Sequence, residues 1–129
     1  MRLLIVGITL HLLIGCTETD DRPQTLAYIT ETILAPNCAT AECHSNLKQQ
    51  STVILDTVEH AHATLNNPNH NDVVPGDPDN SYLLEVITTQ DQFGNRMPLD
   101  HPLANKDIYL IKQWIVNGAD GITLVPPLP

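Results

Sequence analysis

Basic residues are scarce in this chain. Six Lys and Arg stand against fifteen Asp and Glu, a formal net charge of −9 over 129 residues. A surface that acidic repels phosphates, which sets nucleic-acid binding aside. It can steer a basic protein partner, and it also keeps a surface solvated. Aromatic residues are few as well, at 4%, thin for a chain that must build a core. No apolar run approaches the about 20 residues that a helix needs to cross a bilayer. Hydrophobic residues at 42% and charged ones at 16% nevertheless exclude wholesale disorder, and the length allows one domain.

The first fifteen residues read as a lipoprotein signal peptide. Arg2 precedes the apolar run Leu3 to Ile14, and Gly15 puts a small residue before Cys16. Leu13-Ile14-Gly15-Cys16 resembles the lipobox of bacterial lipoproteins, in which the cysteine is acylated and becomes the first mature residue. The expectation is therefore an extracytoplasmic protein, lipid-anchored to a bacterial membrane through Cys16 on its periplasmic or surface face. Residues 16–24 are polar and aperiodic and read as a flexible tether. A folded domain is expected over residues 25–120, with an extended tail over 121–129.

Periodicity makes that domain all-α. Leu26, Ile29, Ile33 and Leu34 form a helical stripe, which Pro36 is expected to stop. Asp56 is a candidate N-cap for a helix carrying Val58, Ala61, His62 and Leu65 on one face. Asp77-Pro78 should open another helix, with Tyr82, Leu83, Val86 and Ile87 turned inward. Thr88 to Leu103, broken by Gly94, Pro98 and Pro102, reads as an ordered loop. The last helix is expected from about Asn105 to Asn117, with Ile108, Ile111, Trp114 and Ile115 at core spacing and Gly118 at its end.

With Cys16 assigned to the leader, two cysteines remain, in a compartment where thiols oxidise. They lie in Cys38-Ala39-Thr40-Ala41-Glu42-Cys43-His44. Two thiols followed directly by an imidazole suit covalent attachment of haem: the thiols add to the vinyl groups on one edge of the porphyrin, and the adjacent His reaches the iron. The usual gap between the cysteines is two residues, and here it is four. The same residues also suit a short-loop disulfide or three ligands of a zinc site. Met97 weighs toward haem. Without the leader it is the last methionine left, and Pro98 holds it out of helical geometry. A thioether is a poor zinc ligand and has no task beside a disulfide. A bulky buried cofactor would also supply apolar surface that the sparse aromatics do not.

Five segments occur in a characteristic order: Ile33 to Cys38, Cys43-His44, Val74 to Leu83, Arg96-Met97-Pro98-Leu99, and Ile111 to Ala119. This order resembles the planctomycete-type cytochromes c, small bacterial mono-haem domains that also occur in lipoproteins. The resemblance implies a cytochrome c-like helical fold around one covalent haem c. It implies thioethers at Cys38 and Cys43, a proximal ligand at His44 and a distal ligand at Met97. A Gly-Leu-Asp-Leu-like segment often follows the haem motif in that family, and here Thr52-Val53-Ile54-Leu55 stands in its place.

His and Met together leave no open position for oxygen chemistry, so the expected role is an electron carrier for redox partner proteins, not an enzyme. A peroxidase-like activity would need the sixth position open. Arg96 is a candidate partner for a haem propionate, or an exposed residue. His62, on the apolar face of its helix, is the rival to Met97 for the sixth position, while His60, His70 and His101 are expected to face solvent. The alternative from another class is a cofactor-free lipoprotein with a Cys38–Cys43 disulfide and a structural or binding role.

Overall fold

The computed structural model describes residues 20–90 and 92–122. The signal peptide, Cys16 and most of the expected tail lie outside them. Helices account for all the regular structure among the described residues, as the apolar periodicity requires.

The first stripe forms α1 (Leu26–Ile29), capped by the Thr25 hydroxyl, which accepts the Tyr28 N–H. Pro36 does not stop it. The chain widens into a π-helical turn, Thr30–Leu34, and continues as α2 (Ala35–Cys38). Proline lacks an N–H and its ring crowds the carbonyl four residues back. The wider turn absorbs that crowding, with Ala35 N–H reaching Thr30 O instead of an α-helical partner. The Asn37 side chain donates to Ile33 O at 2.7 Å, satisfying another carbonyl of the disturbed stretch. In consequence Cys38 is delivered from a helix end, buried.

After the Cys–His segment, α3 (Val58–Leu65) buries Ala61 and Leu65. Its N-cap is Thr57, which accepts the His60 N–H, and not Asp56 as expected. Asp77-Pro78 opens only a 3₁₀ turn, Pro78–Asn80, and α4 (Tyr82–Thr88) starts afresh behind Ser81. That interruption changes the helix's facing. Leu84 joins Leu83 and Ile87 in the core, while Tyr82 is 55% exposed. Ser81 explains the break. Its buried hydroxyl accepts Val74 N–H at 2.9 Å and donates to Asp77 O at 2.8 Å, knotting the turn, and Gly76 N–H donates to Ile115 O at 2.7 Å.

The last helix, α5 (Asn105–Val116), is the centre of the core, with Leu110, Ile111, Trp114 and Ile115 fully buried. Each such side chain contributes about 1.5–3 kcal/mol of burial. Gly118, at φ +101°, closes the helix in a Schellman turn: Gly118 N–H reaches Ile115 O and Ala119 N–H reaches Trp114 O. The chain then meets the start of α1. Asp120 O accepts both Leu26 N–H at 2.9 Å and the Trp114 indole N–H at 3.0 Å. Arg22 adds an ion pair to Asp107 at 2.6 Å and a bond to Lys106 O, so residues 20–24 of the expected tether lie against α5.

At Gly121, φ is +92° and an added Cβ would stand 2.7 Å from Leu26 Cβ. Gly121→Ala should therefore lower the unfolding free energy by about 1–3 kcal/mol. A thermal midpoint equal to that of the unaltered chain would show that this junction does not hold the two ends together.

Candidate haem-attachment site

The helix end and a tight turn set the two thiols. Cys38 closes α2 with its side chain in the core, and Cys43 sits half-buried in the following turn. Cys43 N–H bonds to Thr40 O and His44 N–H returns to Cys38 O, both at 3.0 Å. The four intervening residues are thus taken up in a compact, hydrogen-bonded loop. Both sulfurs are free thiols. Burial pushes the Cys38 thiol up to about 11, with a smaller contribution from the charge of Cys43.

His44 is held through one ring nitrogen. Its Nδ1 lies 3.1 Å from Gln50 O. A carbonyl can only accept, so Nδ1 carries the proton and Nε2 presents its lone pair. A metal-ligating imidazole is set in this way, its tautomer and orientation fixed by the bond on the far nitrogen. The backbone is fixed too, since His44 O accepts Leu55 N–H at 2.8 Å and Cys43 O accepts Gln50 N–H at 3.2 Å. These bonds need residues 49–52 to turn sharply, and Gln49, Ser51 and Thr52 all have positive φ. Thr52, the last of these, opens the stretch where the chain departs from the Gly-Leu-Asp-Leu pattern.

Met97 comes from the loop after α4. Its N–H donates to Val86 O at 2.8 Å, and its half-buried side chain packs against the same apolar core that contains Cys38. Arg96 beside it is half-buried. His62, the rival ligand, lines a different groove with Leu26, Ala27, Val58 and Asp120, none of them a candidate ligand. His70 and His101 are exposed as expected. His60 is not simply solvent-facing, because its Nδ1 lies 2.6 Å from Asp56 Oδ1. That pairing was missed in the sequence, although the i, i+4 spacing of Asp56 and His60 was its signal.

The donor set fits a covalently held haem. It offers two free thiols, an imidazole with Nε2 available and a half-buried thioether. The loops just past the expected ligands also expose apolar side chains, Leu47 at 90% and Leu99 at 67%, which a flat apolar group would cover. The zinc reading fares worse. Among the described residues no three His, Cys, Asp or Glu side chains converge as a metal site.

Residues 41–100 match the family described as Planctomycete cytochrome C. That match supports a cytochrome c-family domain over this stretch. The matched stretch takes in Cys43, His44 and Met97, begins after Cys38, and spans just under half of the chain. No curated protein and no solved structure matches the chain. The all-α architecture is that expected of a cytochrome c domain.

Burial orders the reactivity of the two thiols. At pH 8 a thiol at about 11 is ionised in roughly one molecule per thousand, and only the thiolate attacks. Iodoacetamide on the folded haem-free chain should label Cys43 well before Cys38, read by peptide mass mapping. Equal rates would contradict the burial of Cys38.

Proposed function

We propose that this protein is an extracytoplasmic electron carrier holding one haem c, bound covalently through Cys38 and Cys43 and ligated by His44 and Met97. The observation that carries the reading is the His44 ring. Its Nδ1 is fixed on Gln50 O with Nε2 left for a metal, directly beside a free thiol, inside a stretch that matches a cytochrome family.

The bound haem supplies one-electron chemistry at its iron. The chain's own part is to attach, orient and shield it. Cys38 and Cys43 would hold it through thioethers, each S–H adding across a vinyl C=C with its proton going to the neighbouring carbon, so that no oxidant is consumed. His44 would hold the iron through Nε2, its basicity raised by the Nδ1–H bond to Gln50 O. Met97 would hold it through the thioether, its loop anchored to α4 through Val86 O. Held by both an imidazole and a thioether, the group would supply electron transfer in place of oxygen chemistry. Arg96 is assigned to a haem propionate, as a guanidinium suits a carboxylate.

Lipid anchoring through Cys16 belongs to the same proposal, supported by the lipobox-like residues before it. So does a basic redox partner, favoured by the acidic excess through an attraction that salt screens.

Met97→Ala should keep the covalent haem but lose the weak long-wavelength charge-transfer band of a Met–iron bond in the oxidised spectrum. An unaltered band would remove Met97 as the sixth ligand and reopen the case for His62.

A further inference from the structure

The segment that carries His44 is clamped from a second direction by a carboxylate hydrogen-bonded to an imidazole outside the Cys–His motif. Asp56 precedes the Thr57 cap of α3, and its two carboxylate oxygens divide their work. Oδ2 accepts the Asn46 backbone N–H at 2.8 Å, two residues beyond His44. Oδ1 faces His60 Nδ1 at 2.6 Å, one helical turn into α3. The strand-like run before Asp56 is tied down as well. Leu55 N–H bonds to His44 O, while the Thr64 hydroxyl accepts Ile54 N–H at 3.2 Å and donates to Ile54 O at 3.0 Å. Residues 44–46 are therefore fastened to α3 through Leu55 and Asp56, in addition to the bond from Gln50 to the imidazole.

We propose that Asp56, braced by His60, is a positioning residue for the proximal ligand: it fixes the backbone after His44 and so the direction in which Nε2 points. This rests on the reading of His44 as a haem ligand. Groups that orient a metal's ligand tune the metal without touching it, and their loss typically costs about 10–100-fold in affinity or activity. Asp56 suits the task because its carboxylate is held ionised. The His60 bond, then the Asn46 N–H, lower it below its ordinary 3.8. A charged acceptor makes a stronger bond to the Asn46 amide than a neutral one. The bonding also explains why Asp56 is not the helix cap that its position suggests.

The test uses the holoprotein, with Asp56→Ala and Asp56→Asn compared for intact mass, helix content, midpoint potential and ferric spectrum. If the unaltered chain carries no covalent haem, the ligand reading fails first, and that result is separate from anything Asp56 does. With haem attached, Asp56→Ala should keep the adduct and the helix content. It should shift the one-electron reduction equilibrium by about threefold or more (roughly 30 mV) and perturb the low-spin ferric spectrum. Asp56→Asn, which still offers an oxygen to Asn46 N–H, should restore most of both. A potential and spectrum unchanged in Asp56→Ala overturn the proposal. So does a change that Asp56→Asn fails to rescue and that tracks a loss of helix, for then Asp56 serves only general stability.

Discussion

One hydrogen bond organises this molecule's chemistry: the imidazole N–H of His44 on the carbonyl of Gln50. It selects the tautomer, aims the remaining nitrogen and does so next to a thiol. To bring Gln50 O under the ring, the chain turns back through residues with left-handed backbone. To hold the turn, Leu55 and Asp56 fasten it to α3. The helices in turn are closed around Trp114 by the junction of Asp120 with Leu26. The local chemistry and the global packing meet in this segment.

The same logic accounts for elements that look ornamental in the sequence. Val74 to Ser81 carries no ligand, yet its buried Ser81 hydroxyl and Gly76 N–H lock the approach to α4 against the end of α5. Helix α4 then holds the Met97 loop through Val86. Thus a segment inside the matched stretch acts at a distance, by placing the helix that places the Met97 loop.

Much of this was legible in the residues. Apolar spacing located all the longer helices, and the order Cys38, Cys43, His44, Met97 pointed to the family that the match over residues 41–100 supports. The failures share one cause, since local propensity was read where a tertiary bond decides. Pro36 was expected to end a helix, but a π-turn absorbs it because Ile33 and Leu34 still gain by burial. Asp56 has the chemistry of a cap and is spent on Asn46 and His60 instead. Tyr82 falls on the expected inward face only if the helix begins at Pro78, and the Ser81 knot restarts it. The tie between His44 and Gln50 has no sequence signature, because any residue supplies a carbonyl and only the fold brings it there.

Whether haem is covalently attached is decided by intact-mass measurement of the protein from a host with cytochrome c maturation. The expected mass is that of the mature chain plus one haem, surviving acidic acetone extraction that strips a non-covalent cofactor. A colourless protein at the mass of the chain alone, produced by a host that loads other c-type cytochromes, would contradict it.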